Sequence, residues 1–250
     1  MRRFRRAELE ARILGWGVLT NGSLQRPIGP PVGQTGSEPT RRRVDPSMGH
    51  PGIMRPAALL EVVYMPVACF LDVETTGLSP WKEEVVELAM VLFEYDADTG
   101  AVGRRVGSYV GLREPGIPIS PGAARVHGLT MEVLHGCRLD DDKVRGLLAK
   151  SSLLIAHNAA FDRPFVTRLF PQAGKMRWAC SCHDIPWRAY GQPSARLESL
   201  ARAFGLRANQ VHRAADDVDD AIALLAAVGP HGRPFMYDLL AAVAVREGAV

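Results

Sequence analysis

From Pro66 onward, apolar and polar positions fall into regular blocks. Val67–Val73 is a compact apolar run closed by acids, which predicts a buried strand. Val85–Tyr95 alternates and predicts a second strand. Asp98-Thr99-Gly100 supplies a turn before a third strand over Val102–Leu112, so the pair predicts a hairpin. Pro121–His127 and Thr130–Leu134 predict short helices, the second capped by Thr130, and Asp140 caps a helix over Asp141–Lys150. Leu153–Ala156 predicts a short buried strand, and Phe161–Leu169 a helix with Pro164 in its first turn. Trp178–Ser181 predicts a strand, Ala195–Phe204 a helix stopping at Gly205, and Ala214–Val228 a helix rich in alanine and leucine. A hairpin group followed by alternating strands and helices implies an α/β fold: a mixed sheet flanked by helices. No internal repeat interrupts this pattern.

The first segment reads differently. Residues 1–56 hold 15 Pro or Gly, against 27 in the remaining 194. Stretches such as Pro27-Ile28-Gly29-Pro30-Pro31 cannot sustain a helix or a ladder, so a disordered arm is expected over 1–60, with one short helix near Arg6–Leu14. The charge follows the same division. The arm carries 10 Arg and Lys against 4 acids, a net of +6, and the body 20 against 23, a net of −3. Arg2, Arg3, Arg5, Arg6 and Arg41–Arg43 suit phosphates as well as plain solvation. Ile13–Thr20 is too short, and too close to Glu8 and Glu10, for a secretory signal. Met48, Met54 and Met65 are alternative starts.

Composition narrows the class. A hydrophobic share of 47% supports a core, and a charged share of 23% excludes wholesale disorder. No apolar run is long enough to span a membrane. The 4 cysteines, Cys69, Cys137, Cys180 and Cys182, are too irregular for a disulfide framework and point to a reducing compartment, the cytoplasm. Cys180-Ser181-Cys182-His183 lacks the second ligand pair of a structural zinc site.

Candidate chemistry lies in the acids. Asp72 and Glu74 close the first predicted strand and, being two apart, share a face. Carboxylates side by side repel, and a hard divalent cation relieves them. Thr75-Thr76-Gly77 follows as a loop suited to touching a substrate. Asp162 stands where a strand gives way to a helix, as a helix cap or as a third carboxylate at a sheet edge. His212 precedes the helix carrying Asp216, Asp217, Asp219 and Asp220, of which Asp217, Asp220 and Leu224 share one stripe.

Four blocks together, Phe70–Leu78, Ala124–Thr130, His157–Asp162 and His212–Asp217, resemble the DEDDh family of 3′–5′ exonucleases, whose best-known member is the proofreading epsilon subunit of bacterial DNA polymerase III. The resemblance covers Pro66–Val228 and implies a ribonuclease-H-like fold, with an exonuclease domain over 61–230 and a short C-terminal extension over 231–250. It implies that Asp72, Glu74, Asp162 and Asp217 bind two Mg²⁺ or Mn²⁺ ions, with His212 as general base. The five-residue offset from His212 selects Asp217 over Asp216. Asp72, Glu74, Thr75, Thr76, Leu78, His127 and Asn158 are the implied substrate contacts. Gly122 stands where such members often carry an acid that meets the sugar. The implied reaction releases nucleoside 5′-monophosphates from single-stranded DNA or frayed 3′ ends. RNA is an alternative substrate, a polymerase subunit a candidate partner, and a nucleic-acid-binding accessory module with little catalysis the competing class. The absence of a long tail after the domain favours a stand-alone or accessory nuclease.

Overall fold

The computed structural model describes residues 65–206 and 213–248. The arm expected over 1–60, its helix near Arg6–Leu14, and His212 lie outside the described residues.

Three antiparallel neighbours begin the sheet: β1 (Val67–Thr75), β2 (Val85–Tyr95) and β3 (Val102–Leu112). Two short helices follow, α1 (Pro121–His127) and α2 (Met131–Leu134), then α3 (Asp141–Lys150). β4 (Leu153–Ala156) returns parallel to β1, α4 (Ala159–Leu169) and a 3₁₀ turn follow, and β5 (Trp178–Cys180) lies parallel to β4. Helices α5 (Leu197–Ala203), α6 (Ala214–Ala226) and α7 (Phe235–Arg246) complete the chain. The sheet has 5 strands in the order β3-β2-β1-β4-β5.

Strand alternation sorts the core into two layers. Ala68 and Phe70 of β1 and Ala89, Val91 and Phe93 of β2 pack with Val218, Ile222 and Leu225 of α6 and Phe235 and Leu239 of α7. Cys69, Leu71 and Val73 of β1 and Leu88, Met90 and Leu92 of β2 pack with Val144 and Leu148 of α3 and Phe165 of α4 on the opposite face. β1 and β4 are buried on both faces, which is why they read as apolar runs rather than as alternating strands.

Local signals place the helix ends. Ser120, Thr130 and Asp140 each accept a backbone N–H from three residues on, as N-caps do. Two elements differ from the sequence pattern. α4 begins at Ala159, so Pro164 sits inside the helix rather than in its first turn. The segment expected as an extension over 231–250 holds α7, whose Phe235, Met236, Leu239 and Val243 are buried in the core and whose Phe235 ring lies 4.7 Å from that of Trp187. Aromatic burial of this size outweighs the polar character of the Gly229–Arg233 turn that leads into it.

The β2–β3 turn depends on Gly100. Its φ of +73° lies in the left-handed region, and a Cβ there would sit 2.4 Å from the Tyr237 backbone nitrogen. Gly128, which ends α1, shares the conformation (φ +72°) but has open space around it. Gly128→Ala should therefore cost only the left-handed backbone term, about 1–2 kcal/mol. Gly100→Ala should cost at least twice as much, because α7 must shift as well. Thermal melts of the two variants check this, and equal losses would overturn it.

Candidate functional site

The same alternation aims two acids. Asp72 and Glu74 continue the Ala68–Phe70 face of β1, toward the layer that contains α6. A register shift between Glu74 and Thr75 then turns the strand, so that Glu74 stands opposite Glu87 and Thr75 opposite Val85. Bulges of this kind re-aim side chains at strand ends. The first turn of α6 supplies Asp217, whose backbone N–H bonds to the Arg213 carbonyl 3.0 Å away. Carboxylate oxygens of Asp72, Glu74 and Asp217 all lie within 4.8 Å of one another. Among the described residues these three form the one such group of His, Cys, Asp or Glu, and Asp216 is outside it.

Asp162 arrives from the other layer. It lies in the first turn of α4, and its carboxylate accepts the Val73 N–H at 3.2 Å rather than capping its own helix. The three-acid cluster thus sits at the carboxyl edge of the parallel strands β1 and β4, and Asp162, held on the other face of β1, is outside the 4.8 Å group.

Crowding shifts the acids in one direction. Burial, and then the charges of Asp162, Glu74, Asp217 and Glu87, hold Asp72 well above the usual carboxylate range. Burial, Glu87 and Asp217 push Glu74 up to about 9, with Arg213 opposing them. Burial raises Asp162 to about 7 against the lowering effect of the Val73 bond. An all-carboxylate donor set with suppressed ionisation fits a hard divalent cation, which takes oxygen ligands and replaces the protons.

Sequence reasoning missed the ion pair beneath the cluster. Glu87 is 0% exposed near the start of β2, and it accepts from Arg213 through Nε at 3.0 Å and Nη2, and from the Ala214 N–H at 3.2 Å. One carboxylate therefore binds a guanidinium in two places and also satisfies a buried N–H at the start of α6. Arg213 follows His212 in the chain and opens the helix that carries Asp217. The available signal was a lone glutamate inside the apolar run Val85–Phe93.

The remaining expected residues divide by exposure. Leu78 is 84% exposed, and Asn158 is exposed at the start of α4 with no capping bond of its own. His127 is 2% exposed; its Nδ1 accepts from the Leu129 N–H at 3.0 Å, so Nε2 carries the proton and donates to the Thr75 carbonyl at 3.2 Å. Burial lowers its pKa, and the neutral ring braces the end of β1. The Thr75 hydroxyl donates to the Gly77 carbonyl at 2.6 Å and that of Thr76 to Glu83, so both hydroxyls are spent inside the loop. Gly122 is exposed, with no crowding around it. His157 is the internal strut of its block. Its Nε2 donates to the Ala195 carbonyl at 2.8 Å and its Nδ1 accepts from Ser181 at 2.9 Å, while burial drives its pKa down to about 4. Cys180 and Cys182 are free thiols raised by burial. No helix among the described residues is long and apolar enough to cross a membrane.

A fold of this kind, with acids gathered at the edge of a mixed sheet, defines a class. The chain belongs to the RNase T-type family described as exonuclease, whose family model matches residues 69–225. It is similar to the PolC-type DNA polymerase III of Thermotoga petrophila, 29% identical over 157 residues that make up 59% of this chain and 11% of that one. It is also similar to the DNA polymerase III epsilon subunit of Treponema pallidum, 28% identical over 156 residues, 58% of this chain and 68% of that one. The chain spans about a tenth of the length of the PolC-type relatives. Among solved structures, E. coli Exonuclease I in complex with a dA16 oligonucleotide shares the fold, with a TM-score of 0.55 at 19% identity over 69% of this chain and 42% of that one. The ribonuclease-H-like architecture expected from the sequence is the one observed.

Two outcomes follow from this geometry. Asp72 and Glu74 titrate higher in the fold than in the unfolded chain, whose carboxylates have pKa values near 4. Their contribution to stability is therefore complete below that range and is lost as pH rises toward about 9. Cation-free protein should melt several degrees lower at about pH 8.5 than at about pH 7, and added Mg²⁺ should restore more at the higher pH. Glu74→Gln should flatten both trends in thermal melts; an unchanged slope would overturn the assignment of the shift.

Arg213→Ala strands the Glu87 charge inside the protein and should cost about 3–5 kcal/mol. Adding Glu87→Leu to Arg213→Ala should recover most of that loss. Denaturant titration of the single and double variants checks it, and a double variant as unstable as the single one would overturn it.

Proposed function

We propose that the chain is a metal-dependent 3′–5′ exonuclease that releases nucleoside 5′-monophosphates from the 3′ ends of DNA. The observation that carries this reading is the meeting of Asp72, Glu74 and Asp217 within 4.8 Å, in a chain of the exonuclease family. Asp162 completes the proposed ligand set from the other side of β1, its orientation held by the Val73 N–H.

The ligands suit Mg²⁺ or Mn²⁺, and the proposed number is two. Cations bound there would neutralise charge on the scissile phosphate and lower the pKa of an attacking water. His212, five residues before Asp217, is the proposed general base, histidine being the side chain whose unperturbed titration falls nearest neutral pH. Leu78 and Asn158, both exposed, are the proposed contacts to the terminal nucleotide. His127, Thr75 and Thr76 hold the end of β1 and its loop in shape for that contact.

A terminal nucleotide reaches this edge only when unpaired, which favours single strands and frayed 3′ ends over closed duplex. The proposed catalytic domain covers 61–230, with α7 packed into its core, and the four free thiols suit the reducing cytoplasm. A polymerase subunit is the proposed protein partner, in keeping with the similarity to polymerase III chains.

The test is a time course on 5′-labelled single-stranded DNA and matched RNA, with EDTA and with Mg²⁺ or Mn²⁺. Ladders should shorten from the 3′ end only with added cation, and faster on DNA. His212→Ala should lose about 10²–10⁴ in single-turnover rate while Mn²⁺ affinity survives. Asp217→Asn should lose both, and Asp216→Asn neither. A wild-type rate for His212→Ala, or equal damage from Asp216→Asn and Asp217→Asn, would overturn the roles given to this segment.

A further inference from the structure

The loop between β1 and β2 is held more tightly than a surface connection requires. At its base, the Thr76 N–H bonds to the Glu84 carbonyl at 2.8 Å, and the Glu84 N–H returns to the Thr76 hydroxyl at 2.9 Å. Within it, the Ser79 carbonyl accepts from Lys82 at 3.1 Å and from Glu83 at 2.8 Å. From outside, Arg168 of α4 donates to the Pro80 and Glu83 carbonyls, and the Ser120 N–H bonds to the Thr76 carbonyl at 2.9 Å. The Glu83 carboxyl lies so close to Gly77 that a Cβ there would come within 2.8 Å of it.

This rigid frame holds two large apolar side chains out in water. Leu78 is 84% exposed and Trp81 86% exposed. Among the described residues the Trp81 indole has no aromatic or cation–π partner, whereas Trp178 has Arg163 over its ring and Trp187 packs against Phe204 and Phe235. Exposing a tryptophan forgoes the burial of some 150–250 Å². The chain neighbours of Trp81 are Pro80, the exposed Lys82 and then Glu83, and Arg168 is engaged with the loop's carbonyls. An exposed aromatic side chain on a hydrogen-bonded loop that leaves the strand carrying Asp72 and Glu74 has the makings of a stacking platform for a nucleic acid base.

We infer that Trp81 is a base-stacking contact for single-stranded nucleic acid running into the carboxylate cluster, with Leu78 on the same loop. The inference rests on the exonuclease reading and adds a binding residue to it. Pre-ordering of the loop removes the entropy that a flexible tryptophan would lose on binding. Stacking tolerates any base, so the contact adds affinity without sequence preference.

The experiment measures equilibrium binding of a fluorescein-labelled oligothymidylate in Ca²⁺ buffer by anisotropy, with the full chain as wild type, Trp81→Ala and Trp81→Phe. Trp81→Ala should weaken binding about 5- to 100-fold, and Trp81→Phe should retain most of the affinity. Tryptophan emission should be quenched by unlabelled oligothymidylate in the wild type and much less so in Trp81→Phe. Hydrolysis of the p-nitrophenyl ester of thymidine 5′-monophosphate by the wild type with Mn²⁺ follows the chemistry separately from oligonucleotide binding. Unchanged oligonucleotide affinity in Trp81→Ala overturns the inference and leaves the ring to a protein partner. Trp81-dependent binding without any hydrolysis upholds the inference and sinks the exonuclease reading instead. Failure of the wild type to bind overturns both.

Discussion

Like charges crowded out of water resist one another, and the molecule is arranged around keeping three carboxylates within 4.8 Å despite that resistance. Each acid is fixed by something other than its neighbours. Asp72 and Glu74 are fixed in direction, because β1 is paired with β2 through both of them and its alternation points them toward α6. Asp217 is held through its backbone in the first turn of that helix, where the unpaired N–H groups favour negative charge. Asp162 is turned by the Val73 N–H.

The ion pair of Glu87 and Arg213 supports the same arrangement from below. It adds a further negative charge near Glu74, which by itself would worsen the crowding, and then answers it with a guanidinium bound at two atoms. The pair ties the start of α6 to β2, so the position of Asp217 relative to Glu74 is set by a buried contact rather than by the length of a loop. A buried pair of this kind is weak evidence for overall stability and stronger evidence for a defined geometry.

Much of this was legible in the chain. Val85–Tyr95, Val102–Leu112 and Asp141–Lys150 have the bounds that their apolar patterns and caps predict, because each signal there is local. Pro164 misled because proline is best tolerated at a helix start, whereas the Asn158–Ala160 segment already turns and bonds back through the Phe161 and Asp162 N–H groups to the Asn158 carbonyl. α7 was undervalued because Phe235, Leu239 and Val243 find their partners in residues far away in sequence. Asp72, Glu74 and Asp217, three of the ligands that the family resemblance implied, meet in the fold. The engagement of the Thr75 and Thr76 hydroxyls, the burial of His127, and the partnership of Glu87 with Arg213 could not be read from the chain, since each depends on which backbone group stands opposite in three dimensions.

The placement of the acids on two layers has a consequence for the order of assembly. β1 and β2 can pair early, since only a short loop separates them, and they bring Asp72 and Glu74 with them. Asp162 and Asp217 reach the same edge only when α4 has docked on one face and α6 on the other. A chain that has packed one layer alone holds an incomplete set of carboxylates. The site is therefore a property of the finished domain, and a partly folded molecule lacks it.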